Sequence, residues 1–222
     1  MKQGSGSAPV RRPRVERPRA TIIPLPTTPR GQRTRQKLLT AAEEVFGELG
    51  YHNAGIVEIT QHADVALGTF YLYFRDKKSI FQDLVRTLNT RLRAAIGERI
   101  RGIDDRLEQE VVGFETFFEF VRKHKNLYKV ILQAETVDEE LYRWHYRTLA
   151  EGYVRGLRRA QAAGQVRSDL DAETLSYSLM GIAQGLGSRY VLWDGKLPPP
   201  AARRTIRAFL EGGLRPPRKA RR

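Results

Sequence analysis

From about Gln32 onward, apolar residues recur at steps of three and four, the period of a helix buried on one face. Leu38, Ala42, Val45, Phe46 and Leu49 make the first stripe, and Gly50 stops it where a left-handed residue is favoured. The spacing predicts a helix over 32–49, a short one over 56–62 with Ile56, Ile59 and Ala63 inward, and a third over 66–74. The break between the second and third falls at Ala63-Asp64-Val65. Asp76 suits an N-cap for a long fourth helix, striped by Phe81, Leu84, Val85, Leu88, Leu92, Ala95 and Ile96 to about residue 100. Further helices are expected over 104–123 and 126–134, then one capped by Asp138 and ended by Gly164. Another runs from the cap Asp171 to about residue 193, and the last from the prolines at 198 to 200 to near Gly212. The expected fold is all-α: a three-helix helix-turn-helix unit at 30–79, then a six-helix body at 80–214. A basic arm (1–29) and a basic tail (215–222) flank them.

Two short helices joined by a tight turn inside a three-helix cluster present a helix to the major groove of DNA. The run Phe70-Tyr71-Leu72-Tyr73-Phe74 is β-prone by propensity, but no partner strand is visible and a capped helix starts two residues later. With Phe70 and Phe74 inward, Leu72 lies opposite, Gly68 and Thr69 share the outer half, and Tyr71 and Tyr73 flank it. Gly68 lets backbone approach, Thr69 and the tyrosine hydroxyls reach phosphates or base edges, and Leu72 meets thymine methyls. Lys77 and Lys78 oppose the dipole of the helix they open; a phosphate at that end accounts for them, and a solvated charge pair is the bland reading.

Charge adds to this picture once it is located. The net +14 lies wholly in the ends: ten basic residues against one acidic over 1–37, and five against none over 215–222. The remaining 24 bases and 24 acids cancel. Such tails gather on polyanions; a merely solubilising tail is the alternative. Six prolines before residue 30 keep the arm from folding alone. There is no cysteine and no apolar run of bilayer length, so no disulfide, thiolate metal site or membrane association is expected, and the cytoplasm is the expected compartment.

The stretch from Arg33 to Leu84, with TRQKLLTAAEEVFGELGY and VEITQHADVALGTFYLYFRDKKSIFQDLV, resembles the N-terminal domain of the TetR/AcrR family of regulators. Gly68-Thr69-Phe70-Tyr71 with Phe74 and Lys77 is the centre of the match. The resemblance implies that Gly68 and Thr69 meet the groove and that Tyr71, Tyr73 and Lys77 meet backbone or base edges. The chain departs from the family's pattern in several places. It has Ile56 for a phosphate-touching Thr, Asp64 for a turn Gly, Leu67 for a Lys, Leu72 or Tyr73 for a His, and Ser79 for the Glu that completes a capping box. These remove polar contacts, and the arm with Arg30, Arg33 and Arg35 is expected to compensate from the minor groove.

In the family, a body of this kind holds a ligand cavity in its middle helices and a two-fold interface on its last two. Phe114, Phe117, Phe118, Tyr128, Trp144, Tyr146 and Tyr153 concentrate aromatics there, either as pocket wall or as ordinary core. Arg122, Lys123, Lys125, Lys129, Arg143 and Arg147 either receive an anionic head group or are solvated. Phe114, Phe117, Phe118, Tyr128, Trp144 and Arg147 are the expected ligand residues. The segment KVILQAETVDEELYRWHYRTLAEGY is similar to regulators that sense acyl-CoA esters, with a drug-like or lipid-like hydrophobe as the other effector. Ser178, Gly181 and Gly185 permit close helix approach, between subunits or within one; with Ile206, Phe209 and Leu210 they make the expected homodimer face.

The expected function is a repressor that binds double-stranded operator DNA as a dimer and is released by a small hydrophobic effector. A sequence-neutral DNA-coating protein is the alternative. An enzyme is not expected, nor a cofactor: His52, His62, His124 and His145 lack ligand-spaced partners, and no phosphate-cradling glycine loop or nucleophile motif is present.

Overall fold

A computed structural model of the chain describes residues 24–216. The arm before residue 24 and the tail after residue 216, with the expectations placed on them, lie outside the described residues.

The described residues hold nine α-helices and no strand. Helix α1 (Pro29–Asn53) starts three residues earlier than the apolar stripe suggests. The Thr28 hydroxyl caps it, accepting from Gly31 N at 3.1 Å, and Pro29 opens its first turn without needing a donor. Gly50, at φ 78°, breaks it, and a last turn follows. Helix α2 (Ile56–His62) has the expected bounds. The turn after it passes through Asp64 at φ 52°, an aspartate in the left-handed position.

Helix α3 (Leu67–Phe70) is shorter than the expected 66–74. Past Phe70 the chain tightens into a turn in which Leu72 N and Tyr73 N donate to carbonyls three residues back. Phe74 N still reaches the Phe70 carbonyl, at 2.9 Å, so both rings remain one turn apart and buried, 5.6 Å between centroids.

Helix α4 (Lys77–Arg99) begins at the Asp76 cap. Ser79 completes the capping box after all: Asp76 accepts from Ser79 N and the Ser79 hydroxyl accepts from Asp76 N. The absence of glutamate there therefore removes nothing. This one helix crosses the expected domain boundary. Ile80 and Phe81 pack under α1, and Leu88 and Leu92 under the body, in one continuous core.

The body follows with α5 (Arg106–Lys123), α6 (Lys125–Val137), α7 (Glu139–Ala162), α8 (Ala172–Leu186) and α9 (Pro200–Leu214). Asp105, Asp138 and Asp171 cap α5, α7 and α8. The expected single helix from Asp171 to residue 193 changes character at Gly187, where a π segment (Gly187–Trp193) takes over. Gly187 lies against the Phe117 ring, leaving no room for a Cβ. The N-terminal unit is bolted to α6: Lys129 Nζ donates to the Gly47 carbonyl at 2.9 Å, Gln133 Nε2 donates to Phe46 O at 3.1 Å, and Gln133 Oε1 accepts from Tyr51 N at 2.6 Å.

Candidate DNA-reading face and ligand cavity

The inward anchors Phe70 and Phe74 turn the rest of their segment outward. Leu67, Gly68, Tyr71 and Leu72 are exposed, Leu72 to 69%. A Cβ on Gly68 would meet nothing within 4 Å, so the backbone there lies open to an incoming surface. Thr69 and Tyr73 are half-buried, and the Tyr73 hydroxyl stands beside Gly31 in the first turn of α1. The face is apolar at its centre. Arg30 and Arg33 are exposed at the start of α1. Ile56 gives α2 no side-chain cap; Gly55 stands at that position.

Two of the expected DNA-contact residues have partners inside the protein. Arg35 pairs with Asp83 of α4, and its guanidinium lies 5.2 Å from the centroid of the Phe74 ring, so it braces the unit internally. Lys77 directs its ammonium at the carbonyls of Tyr51 (2.8 Å), Ala54 (2.6 Å) and His52 (3.4 Å), over the Tyr51 ring. It answers acceptors that the end of α1 leaves open. Lys78 pairs with Asp138, the cap of α7, at 3.2 Å, and Gln82 donates to the same carboxylate. Both lysines therefore have roles inside the protein that the dipole argument missed.

A cavity of about 430 Å³ lies among α4, α5, α6, α7 and α8, within the roughly 300–1,000 Å³ of small-molecule sites. Of the expected ligand residues, Phe114, Phe117 and Tyr128 line it. Phe118, Trp144 and Arg147 do not. Phe118 is buried in the core behind the wall. Trp144 and Arg147 are exposed on the outer side of α7, Trp144 with the Arg86 guanidinium 5.7 Å from its ring centroid. None of the six basic residues offered for a head group lines the cavity either; Lys129 and Arg143 have partners elsewhere.

Sequence reasoning missed the polar part of the wall. Arg106 and Glu110, one turn apart on α5, are both buried and form an ion pair, and the Tyr153 hydroxyl donates to the same carboxylate. Burial pushes the Glu110 carboxyl up, and the Arg106 guanidinium and the two donated hydrogen bonds oppose that rise. The Tyr153 hydroxyl is driven well above its ordinary range by burial and by the neighbouring carboxylate. On the α4 side His145 is buried, and burial alone lowers it to about 4, so it is neutral. Asn89 Nδ2 donates to the His145 carbonyl at 3.0 Å and lies 3.2 Å from its Nδ1. That partner favours the tautomer with its proton on Nε2. Tyr146 donates to Gln184 across the cavity at 2.7 Å.

The expected subunit interface is partly corrected. Ile206 and Leu210 point into their own core. Ser178, Gly181, Gly185 and Phe209 are exposed, Phe209 to 65%, together with Tyr177 and Trp193, the latter to 74%. Added Cβ atoms on Gly181 and Gly185 meet nothing within 4 Å, so these glycines are not packing accommodations inside the subunit.

Comparison with known proteins agrees with this architecture. The profile of bacterial regulatory proteins of the tetR family matches residues 38–84, and that of the BetI-type transcriptional repressor C-terminal domain matches residues 133–215. The HTH-type transcriptional regulator YdgC of Bacillus subtilis is 28% identical over 189 residues, covering 83% of this chain and 95% of the relative. The fatty acid metabolism regulator protein of the same organism is 23% identical, covering 80% and 94%. Among solved structures, Salmonella enterica GusR superposes with a TM-score of 0.73 at 22% identity, covering 82% of this chain and 96% of that one. FadR from Bacillus subtilis in complex with stearoyl-CoA superposes with a TM-score of 0.71 at 21% identity, covering 80% and 98%.

Proposed function

The chain belongs to the TetR family of bacterial transcriptional regulators, and on that premise we propose that it is a repressor that reads operator DNA as a homodimer and is released by a hydrophobic effector. The observation that carries this reading is the pairing of two features on one helix. At its start α4 packs against α1 and pairs Asp83 with Arg35, inside the three-helix unit that turns α3 outward; further along, Leu92 and Ile96 wall the cavity.

Leu67, Gly68, Thr69, Tyr71 and Leu72 enter the major groove, with Tyr73 at its edge and Arg30 and Arg33 reaching backbone phosphates. One short helix touches few base pairs, so two subunits are needed, and Tyr177, Gly181, Gly185, Trp193 and Phe209 supply the two-fold face. A ligand in the cavity favours one placement of α4 against α7 and so changes the spacing of the two reading helices. It acts only to the extent that it binds the two states unequally. The apolar and aromatic wall fits a chain-like hydrophobe. The FadR structure with stearoyl-CoA supports an acyl-CoA as one such effector.

The test is fluorescence anisotropy on an operator selected from a random pool, against competing random DNA. Site preference, lost on adding a long-chain ligand, is expected. Equal affinity for random DNA would leave a DNA-coating protein instead.

A further inference from the structure

Helix α7 brings two polar places to the cavity wall: His145 near its start, and Tyr153 two turns further on. The eight residues between them correspond to about 12 Å of helix rise. Leu149 stands between them on the same helix, and Leu92, Ile96, Phe114 and Phe117 add apolar wall from α4 and α5.

The two polar places have opposite hydrogen-bonding capacity. His145 is only 3% exposed, and Asn89 Nδ2 occupies its Nδ1. The proton therefore sits on Nε2, which has no hydrogen-bond partner among the described residues. A donor left open this deep is costly, and a ligand acceptor oxygen would satisfy it. At Tyr153 the donors are spent or out of reach. Tyr153 and Arg106 both donate to Glu110, Arg106 also donates to Gln109 at 3.2 Å, and Arg106 Nε is covered by protein. What remains there is acceptor capacity: the half-buried Tyr153 oxygen and the Glu110 carboxylate keep lone pairs beyond these bonds.

Charge narrows the ligand further. The buried Arg106–Glu110 pair cancels itself, and His145 is neutral because burial lowers it to about 4. A charged ligand group would find no free counter-ion at either place. Arg93 and Arg159, the other cations on the wall, are exposed, where a pair with a carboxylate is weak.

We propose that the cavity selects a neutral molecule with an oxygen at each end of an apolar body, one accepting from His145 Nε2–H and the other, a hydroxyl, donating to the Tyr153–Glu110 pair about 12 Å away. His145 and Tyr153 are then the residues that set specificity, and the apolar wall supplies affinity without choosing among hydrophobes. This rests on the reading of the cavity as the effector site.

Calorimetric titration of the full-length protein with the α,ω-diols from 1,6-hexanediol to 1,14-tetradecanediol, with 1-decanol and with decanoate tests the assignment. A purely apolar wall would favour 1-decanol over any diol by about tenfold or more, because a second hydroxyl would be buried unmet. Instead, affinity is expected to peak at an intermediate diol that binds at least as tightly as 1-decanol and at least about tenfold more tightly than decanoate. His145→Asn, whose amide stays near the Nδ1 position, removes the Nε2 donor, and Tyr153→Phe removes the phenolic oxygen. Each is expected to weaken the best diol about tenfold and to leave 1-decanol, which can use the other end, within about threefold. His145→Gln, whose amide reaches the Nε2 position, is expected to retain the diol within about threefold. Diols that fall about tenfold short of 1-decanol at every length, decanoate outbinding the best diol, or a best diol indifferent to His145→Asn or to Tyr153→Phe overturns the proposal, while 1-decanol binding keeps the effector site. Failure of every compound to bind the parent protein overturns both.

Discussion

Replacing Lys77 with methionine separates an ammonium that holds the fold from one that holds DNA. Methionine keeps an unbranched apolar stem beside Tyr51 and removes the charge and all three donors. The ammonium donates at 2.6 and 2.8 Å to the Ala54 and Tyr51 carbonyls, more distantly to His52, and lies 4.6 Å from the Tyr51 ring centroid. Water reaches part of this site and can replace the donors, so each short bond is assigned about 1 kcal/mol, below the range for fully buried charged pairs. The ring adds about 0.5–1 kcal/mol. The sum is a loss of about 2.5–3 kcal/mol, or a fall in Tm of about 5–12 °C at roughly 2–4 °C per kcal/mol for a chain of this size. Thermal unfolding followed by circular dichroism, at one fixed protein concentration so that dimer mass action is constant, reads the change. A Tm within about 1 °C of the parent, together with a salt slope of operator binding shallower by about one, would put the ammonium on a phosphate and refute the structural role.

Leu72→Asp places a charge at the most exposed apolar point of the reading face. Site-selective affinity should fall at least about tenfold with Tm within about 2 °C; unchanged anisotropy titrations would remove Leu72 from the interface. Because burial lowers His145 from 6.5 to about 4, the unfolded chain takes up the proton first as pH falls. The stability this neutral histidine contributes, about 3 kcal/mol, is complete above about pH 6.5 and lost towards pH 4. Urea titrations at pH 7 and pH 4.5 should show most of that loss in the parent and little in His145→Gln; an equal loss in both would contradict the assignment. Trp193→Ser with Phe209→Ser strips the two most exposed aromatics from the proposed two-fold face, and sedimentation should then show a monomer; an intact dimer would move the interface elsewhere.

The helices were legible because their stripes are long and their caps are carboxylates: Asp76, Asp138 and Asp171 each stand where the chain turns helical. The inward placement of Phe70 and Phe74 was legible for the same reason, since two bulky rings four apart can share one face. What failed was any inference that needed the partner of a polar side chain. Lys77 looked wasted at the positive end of a helix because its acceptors are 23 to 26 residues back in the chain, on the end of α1. Arg35 looked free because Asp83 is 48 residues away.

The cavity failed differently. Phe117 and Phe118 are equally apolar and adjacent, and periodicity cannot say which of two apolar directions faces another helix and which faces a void. Arg106 and Glu110 have the one-turn spacing common to exposed pairs, but Gly156 opposite them admits the guanidinium into the interior. A signal was nevertheless present. Glycines at 97, 113, 152 and 156 contradict the helical propensity of segments that are otherwise strongly periodic, and such local contradictions concentrate where function overrides folding. Weighing these four glycines above the aromatics would have pointed to the helix faces that wall the cavity. Aromatics mark a core and a pocket alike, whereas glycine inside a strongly periodic helix runs against propensity and calls for a local reason.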